Sequence, residues 1–227
     1  MLYIHGAQLW KKHLEMEITN KSTDIEQVFS SGDHLYGRTN IDNFSVSGCG
    51  SQMDDSTKNI RENLYNFLKK YNIKSIADIP CGDFWWMRNI DLFDINYIGG
   101  DIITPQIIKL KSNFPNNDFQ RIDLRIDKLP NVDLLFSRDC LFHLSNIDKQ
   151  MVFNNFISSN IEYLLMSNHP NSNNNVDIQT GDFGHINWQS NPWNFEKPID
   201  ILYDSNQGYD TKELQLYTKN QIIKFII

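Results

Sequence analysis

The 227-residue sequence contains only three cysteines, and this scarcity limits the kinds of domain that it can form. Cys49, Cys81 and Cys140 form no CxxC pair and no Cys/His cluster with the spacing of zinc ligands. A disulfide framework and a structural zinc site are therefore disfavoured, and a few scattered thiols are typical of a reducing compartment. We expect no metal site.

Long apolar runs and an excess of positive charge are also missing. No stretch approaches the roughly 18 apolar residues that a membrane-spanning helix needs, and the first residues lack the uninterrupted apolar core of a signal peptide. The chain has 21 Lys and Arg residues against 28 Asp and Glu residues, which gives a formal charge of −7. We therefore expect no broad cationic surface that could bind phosphates. We expect a soluble, cytoplasmic protein without membrane insertion or nucleic-acid binding.

What the sequence does have is the composition of a globular domain. Hydrophobic residues make up 40% and charged residues 22% of the chain, so disorder of the whole chain is excluded. The length fits one full domain with some elaboration. Residues 1–54 have weak periodicity and many turn formers, which predicts an irregular N-terminal cap. The main domain is predicted to occupy residues 55–227.

From Asp55 onward, helical and strand patterns alternate. Apolar residues three and four apart predict a helix that Ser56 or Thr57 caps and that ends near residue 71. Strands are then predicted at residues 75–79, 97–101, 119–122, 132–136 and 161–166. Helices are predicted at 84–92 and at 146–158, and a further helix is predicted to begin at Thr104, which caps it. This alternation predicts an α/β fold with a doubly wound, mostly parallel sheet.

A long polar segment follows the fifth predicted strand. Residues 168–196 are rich in Asn, carry several aromatic residues and far exceed the roughly 2 to 6 residues that usually connect elements in α/β folds. We predict that this segment is a mobile lid. Two later strands, at 199–203 and 214–217, are predicted to close the sheet as an antiparallel hairpin.

Acidic residues lie at the ends of three successive predicted strands, at Asp78, Asp101 and Asp123. Ligands of open α/β sheets bind outside the carboxyl ends of the strands, where Asp101 can accept hydrogen bonds from both hydroxyls of a ribose. Asp123 can accept one from the exocyclic amine of a purine. Gly82, in the turn after Asp78, lets a ligand approach the backbone because it has no Cβ. A simple tight turn at Gly82 and a helix-terminal charge at Asp101 are the structural alternatives.

The turn after the first strand lacks the glycines that would bind a pyrophosphate. A dinucleotide site has G-x-G-x-x-G before a helix, whereas this turn carries Pro80, Gly82, Phe84 and an anionic Asp83 that would repel a phosphate. S-adenosylmethionine has a ribose and an adenine but no phosphate, and its amino group suits nearby carboxylates. The sequence therefore predicts S-adenosylmethionine as the cofactor, with an NAD-dependent oxidoreductase as the alternative.

Three segments carry a family resemblance: Ile79 to Phe84 (IPCGDF) with Trp86-Met87, Ser137 to Ser145 (SRDCLFHLS), and Thr180 to Asp182 (TGD). With them the chain resembles a class I S-adenosylmethionine-dependent methyltransferase, and more narrowly a bacterial group linked to capsular and other surface polysaccharides. The resemblance covers about residues 47–217. It implies seven strands with a reversed last hairpin, and methyl transfer to an oxygen of a sugar, nucleotide-linked sugar or phosphoramidate group. The chain departs from that group at His185, because an arginine usually follows the aromatic residue of this segment.

The candidate site residues follow from these positions. Those predicted to bind the cofactor are Asp78, Pro80, Gly82, Asp83, Phe84, Asp101, Ile102, Asp123, Leu124 and Arg138. In this architecture the turn after the fourth strand faces the transferred methyl group, so a general base belongs there. An imidazole suits the deprotonation of a hydroxyl near neutral pH, which makes His143 the first candidate, with Asp139 orienting it or acting as the base. The alternative is that His143 caps a helix and that Arg138 pairs with Asp139 for structure.

The acceptor is predicted to be a small molecule or a saccharide. Ser51, Thr57 and Arg61 belong to a segment that recurs in the resembled group and could close over the cofactor or acceptor, although a flexible turn before a helix explains them as well. Asp182 belongs to the third motif. Trp193 provides either a wall for a sugar ring or ordinary core packing. A catalytically silent, cofactor-binding scaffold subunit is the remaining alternative, and the oligomeric state is left open.

Overall fold

The computed structural model describes residues 25–31, 44–207 and 210–226, so most of the predicted N-terminal cap lies outside the described residues. The helices are α1 (Ile25–Ser31), α2 (Asp55–Lys70), α3 (Thr104–Asn113), α4 (Asn146–Ser158) and α5 (Lys219–Ile226). The strands are β1 (Ser75–Asp78), β2 (Asn96–Asp101), β3 (Asp118–Arg121), β4 (Leu134–Ser137), β5 (Tyr163–Asn168), β6 (Asp200–Gln207) and β7 (Asp210–Thr218). Short 3-10 helices lie at Cys49–Ser51, Met87–Asn89 and Leu141–His143.

All seven strands form one sheet in the order β3-β2-β1-β4-β5-β7-β6. β1 pairs in parallel with both β2 and β4, and Asp78 at its end lies beside Gly99 and Phe136. β7 is antiparallel to β5 on one side and to β6 on the other. The predicted seven-stranded, mostly parallel sheet with a reversed last hairpin is confirmed. Strand order reverses beside β1, so the turn after β1 lies at the point of the sheet where ligands bind.

The helices before β1 and after β2, α2 and α3, have carboxylates at their N-termini that the sequence did not predict. The Asp54 side chain accepts a hydrogen bond from the Ser56 amide at 2.8 Å, so the cap of α2 is Asp54 and not Ser56 or Thr57 as predicted. Thr104 is the first residue of α3, and its amide donates to the Glu26 carboxylate of α1 at 2.7 Å. A carboxylate from another helix thus satisfies the N-terminal amide of α3.

The predicted helix at residues 84–92 is wrong. Phe84 has a φ of +59°, which takes the backbone out of the right-handed helical region, and only the 3-10 turn at Met87–Asn89 follows. The Phe84 ring is buried with its centroid 5.1 Å from those of Tyr97 and Phe119. This placement buries a large aromatic surface against β2 and β3, and it explains why the backbone tolerates an unfavourable conformation.

Both faces of the sheet are covered by packed side chains, with α2 and α3 on one face and α4 and α5 on the other. Residues 169–199, all of which are described, form no helix or strand, yet Trp188 and Trp193 are buried against Phe153 of α4. The predicted lid is therefore anchored by core aromatic residues at its far end, and its mobility stays a prediction. Among the described helices, none has both the length and the apolar character needed to cross a membrane.

Candidate active site

Two adjoining cavities open at the carboxyl ends of the parallel strands. The first, here called the strand-end cavity, is lined by residues after β2, β3 and β4 and by Ile25 and Phe29 of α1. The second, here called the turn cavity, lies between the turn after β1 and residues 47–51. Pro80 and Asp139 line both cavities, so a single elongated ligand that fills both must pass these two residues.

Asp101, at the end of β2, lines the strand-end cavity and is only 3% exposed. Its carboxylate accepts hydrogen bonds from the Gly82 amide at 3.0 Å and the Ile103 amide at 2.9 Å. Burial raises the pKa of Asp101 to about 6, although the Ile103 and Gly82 amides act in the opposite direction. The backbone thus holds a buried carboxylate in a fixed orientation at the cavity wall.

Asp78 is the corresponding carboxylate of the turn cavity. It is 2% exposed and accepts a hydrogen bond from the Tyr97 hydroxyl at 2.8 Å. Burial raises its pKa to about 7, against the lowering effects of the Tyr97 hydrogen bond and the Arg138 charge. Asp78 and Asp101 therefore form a pair of buried carboxylates whose charges have no cation in direct contact among the described residues.

The Gly82 turn is packed against the segment that precedes α2. Gly82 has a φ of +54°, and a Cβ at this position would lie 2.3 Å from the Ser47 hydroxyl oxygen, so a larger residue is excluded for two reasons. The Ser47 hydroxyl also accepts from the Asp83 amide at 2.8 Å. The Asp83 carboxylate in turn accepts from the Val46 amide at 2.7 Å. Asp83 and Gly82 thus hold residues 45–47 as one wall of the turn cavity.

Ile102 and Leu124 give the strand-end cavity apolar walls, and Asp123 lies beside them. The Asp123 carboxylate is engaged by a residue that sequence reasoning missed: Arg125 Nη2 donates to it at 2.9 Å and Arg125 Nε at 3.1 Å. A third nitrogen, Arg125 Nη1, donates to Asp148 of α4 at 2.8 Å. These contacts hold the Arg125 guanidinium in place between the two carboxylates. Arg125 itself also lines the cavity.

A cluster of four charged residues lies where β4 meets the last hairpin. Arg138, predicted to bind the cofactor, is 4% exposed and lines the turn cavity, while its Nε donates to Asp204 of β6 at 2.8 Å. Lys212 of β7 donates to both carboxylate oxygens of Asp139 at 2.7 Å. Arg138 Nη1 also lies 3.3 Å from Asp139, so the ion pair between these two residues, which the sequence offered as an alternative to cofactor binding, is present.

Asp139 is held in a left-handed conformation, with a φ of +54°. Its amide donates to the Ser167 hydroxyl at 2.9 Å, which fixes the strained backbone from the side of β5. Burial would raise the pKa of this carboxyl, but the positive charges of Arg138 and Lys212 outweigh that effect and hold the pKa below its ordinary value. Asp139 is therefore a poor proton acceptor and a good fixed anion.

His143 lines the strand-end cavity on the same side as Asp139. Its Nδ1 lies 2.8 Å from the backbone carbonyl oxygen of Asp182. Since a carbonyl can only accept, Nδ1 must carry the hydrogen, and Nε2 is the nitrogen that has the lone pair in the neutral ring. This tautomer is the one that a general base needs if Nε2 receives the proton.

The remaining predicted site residues lie in different surroundings. Ser51 lines the turn cavity. Thr57 is fully buried and accepts from Arg61 Nε at 3.0 Å, so these two residues brace the start of α2. The Asp182 side chain is exposed, and only its backbone carbonyl contacts His143. The structure places the side chains of Trp193 and Phe84 in the core and not along the two cavities.

No protein-family model and no curated protein sequence matches the chain. Solved structures do resemble it. Magnesium protoporphyrin IX methyltransferase from Synechocystis, with bound S-adenosylhomocysteine, has a TM-score of 0.57 at 12% identity over 87% of this chain and 98% of that one. The methyltransferase domain of bacterial CtHen1-C has a TM-score of 0.54 at 12% identity over 71% of this chain and 97% of that one.

Human N-acetylserotonin methyltransferase, solved with S-adenosylmethionine, has a TM-score of 0.51 at 12% identity. The match covers 70% of this chain but only 51% of the human enzyme, so the chain spans about half the length of that neighbour. At such identities the likeness establishes the fold alone, and that fold is the Rossmann-like fold of these methyltransferases. In the described ranges, no group of three or more His, Cys, Asp or Glu side chains is placed to hold a metal ion.

Proposed function

We propose that the protein transfers a methyl group from S-adenosylmethionine to an oxygen of a small polar acceptor. The observation that carries this proposal is the meeting of two cavities at Pro80 and Asp139, with a buried carboxylate in each and His143 in the wall of the strand-end cavity. An elongated ligand with a nucleoside at one end and an amino acid at the other fits this arrangement. The fold neighbours, which are methyltransferases, support the same reading.

The donor set suits S-adenosylmethionine better than a dinucleotide. Asp101 offers a buried carboxylate for the ribose hydroxyls, and Ile102 and Leu124 offer apolar contact to an adenine. Asp78 offers a carboxylate in the turn cavity for an ammonium group. A pyrophosphate is bound by the N-terminus of an α-helix, whereas the described residues between β1 and β2 form only a 3-10 turn.

When bound, S-adenosylmethionine would supply an electrophilic methyl group on a positively charged sulfur. The protein's own residues then have two tasks. His143 Nε2 takes the proton of the acceptor hydroxyl, and the resulting imidazolium keeps its Nδ1 hydrogen bond to the Asp182 carbonyl. Asp139 stays ionised because Lys212 and Arg138 hold it, so it stabilises the imidazolium electrostatically and does not compete for the proton.

The acceptor class rests on the resemblance of residues 79–84, 137–145 and 180–182. These segments favour an oxygen of a sugar, a nucleotide-linked sugar or a phosphoramidate group in surface polysaccharide biosynthesis. The exposed Phe183 ring next to His143 supports an acceptor with a ring face, since its centroid lies 5.8 Å from that of the imidazole.

Calorimetric titration with S-adenosylmethionine, S-adenosylhomocysteine and NAD tests the cofactor assignment. We expect both sulfur compounds to bind with a stoichiometry of one and NAD to release no measurable heat. Binding of NAD alone would overturn the proposal in favour of an oxidoreductase. A panel of nucleotide sugars and short capsular oligosaccharides, assayed for label transfer from methyl-labelled cofactor, then tests the acceptor class.

A further inference from the structure

Residues 177–184 run along the turn that contains His143 and are fastened to it by hydrogen bonds. The Gly181 amide donates to the His143 carbonyl at 2.8 Å, and the Gly184 amide donates to the Phe142 carbonyl at 3.1 Å. The Ser145 amide donates to the Thr180 hydroxyl at 2.9 Å. The position of the Asp182 carbonyl, and with it the tautomer of His143, therefore depends on how this segment is held.

Thr180 is the link between this segment and the cavity wall. Its hydroxyl donates to one carboxylate oxygen of Asp148, in the first turn of α4. The other oxygen of Asp148 accepts from Arg125 Nη1 at 2.8 Å. The two remaining nitrogens of Arg125 donate to the Asp123 carboxylate. A continuous chain of hydrogen bonds, most of them between charged groups, thus runs from the strand-end cavity to the His143 turn.

These side chains are shielded from solvent, which gives the chain of contacts its strength. The exposed fractions of the Arg125, Asp123 and Asp148 side chains are 14%, 5% and 15%. Charge-assisted hydrogen bonds at such low exposure are stronger and more directional than surface ion pairs. Each member also has fixed partners on both sides, so displacement of one member is passed to the next.

Capping of α4 does not account for the Thr180 contact. The Ser145 side chain already accepts from the Asp148 amide at 3.2 Å and caps the helix without help from Thr180. The Thr180 hydroxyl adds a second connection, and this one ties the helix to the segment that carries the Asp182 carbonyl. A role in holding that carbonyl explains the contact.

We propose that Thr180, Asp148 and Arg125 are positioning residues for His143. They keep the Asp182 carbonyl against Nδ1 of His143. Their position is fixed in turn by Asp123, which lies in the wall of the strand-end cavity. The inference rests on the proposed function, because it assigns these residues to the alignment of the general base. Its test reads the imidazole directly and needs neither the acceptor nor turnover.

The experiment compares Thr180→Val with Thr180→Ser. Valine keeps the shape of threonine but can neither donate to Asp148 nor accept from Ser145, whereas serine keeps the hydroxyl and serves as the matched control. Nitrogen-15 spectra of the histidine side chains report the tautomer of His143. The signals of His143 are identified as those that are missing from the spectrum of His143→Gln. Asp148→Asn is a second variant that weakens the link to Arg125 while keeping the size of the side chain.

In the unmodified protein and in Thr180→Ser, we expect neutral His143 to carry its hydrogen on Nδ1. In Thr180→Val, and to a smaller extent in Asp148→Asn, we expect a shift toward the tautomer with the hydrogen on Nε2. A wild-type tautomer ratio in a folded Thr180→Val protein would overturn the inference. A shift in Thr180→Val without any shift in Asp148→Asn would overturn the part assigned to Asp148 and Arg125.

Titration with S-adenosylhomocysteine separates this inference from the proposed function. Thr180 lies outside the residues that line the two cavities, so we expect affinities within about threefold of each other for the Val and Ser variants. If the unmodified protein fails to bind S-adenosylhomocysteine, the proposed function is wrong, while the tautomer comparison still decides whether Thr180 positions His143.

Discussion

The turns after β1 and β4 both hold buried carboxylates, but the two regions treat the negative charge in opposite ways. Near β1, Asp78 and Asp101 are paired with neutral donors, and burial raises their pKa values to about 7 and about 6. Near β4, Asp139 lies between Lys212 and Arg138, which hold its pKa below the ordinary value. Among the described residues, no cation contacts the Asp78 or Asp101 carboxylate directly, so the first region is suited to receive one with a ligand, whereas Lys212 and Arg138 already neutralise the second.

Under the proposed function, this difference assigns cofactor binding to one region and proton transfer to the other. A sulfonium or ammonium group that enters the β1 region stabilises carboxylates that burial has left poorly solvated. In the β4 region the charge balance is complete without a ligand, so the group that remains able to take a proton there is the neutral imidazole of His143. The assignment of His143 over Asp139 as the base follows from this contrast.

The largest expected effect comes from removing the proposed base of the β4 region. His143→Ala should lower turnover roughly 10²- to 10⁴-fold, the usual contribution of a general base, and should abolish the acid limb of the pH–rate profile. Affinity for S-adenosylhomocysteine should stay nearly intact. His185→Ala, which removes a nearby exposed histidine, is the control and should change turnover by only a few-fold. Turnover of His143→Ala within a few-fold of wild type would mean that the residue is structural.

The next effect breaks the charge balance of the β4 region itself. Asp204→Asn leaves the buried Arg138 guanidinium without its strongest partner, and this should lower the free energy of unfolding by about 3 to 5 kcal/mol. Denaturant titration measures the change. Lys70→Met removes the exposed pair with Asp200 and should leave the denaturation midpoint nearly unchanged, because solvent screens that pair. A similarly small change in the free energy of unfolding for Asp204→Asn would show that burial does not strengthen the pair of Arg138 with Asp204.

On the β1 side, Asp101→Ala should weaken the binding of S-adenosylmethionine by about 1 to 3 kcal/mol, because the ribose hydroxyls and two backbone amides lose their acceptor. Calorimetry of the folded variant provides the measurement. Asp118→Ala, an exposed carboxylate at the start of β3, is the matched control. Unchanged affinity in a folded Asp101→Ala protein would remove the ribose assignment.

The smallest expected effect is a pH dependence. Because the pKa values of Asp78 and Asp101 are raised, both groups are largely protonated near pH 5.5 and ionise between about pH 6 and 7. Affinity for cationic S-adenosylmethionine should therefore rise roughly tenfold from pH 5.5 to 7.5, with proton release on binding. Asp78→Asn should flatten the rise, whereas Asp139→Asn should not, since Asp139 is already ionised throughout this range.

The same two groups set the sign of the stability change without cofactor. A carboxyl whose pKa is raised in the folded state favours folding most below its unfolded pKa, and that contribution is lost as the pH rises through the folded value. We expect the stability of the cofactor-free protein to fall between about pH 4 and 7, and Asp78→Asn to reduce the fall. Urea titrations across this range check the sign, and a rise in stability would contradict the burial of Asp78.

Much of the β1 region could be predicted from local sequence, because the strand, the Gly82 turn and Asp101 are set by neighbouring residues. The helix predicted at residues 84–92 failed, since the packing of the Phe84 ring overrides helical propensity. The β4 region was less accessible. Asp204 and Lys212 reach Arg138 and Asp139 only through the antiparallel hairpin, and no local pattern marks either residue as part of a site. The role of Arg125 likewise depends on a distant partner, Asp148 of α4, which no local pattern reveals.

That hairpin also determines when the site can form. Arg138 and Asp204 are 66 residues apart, and Asp139 and Lys212 are 73 apart, so their contacts close long loops whose entropy must be lost first. A nascent chain that ends after β5 contains Asp101 and His143 but has no anion from β6 to neutralise Arg138. Synthesis of β6 and β7 therefore completes the candidate site, and release of the chain before that point would leave the buried Arg138 guanidinium without Asp204.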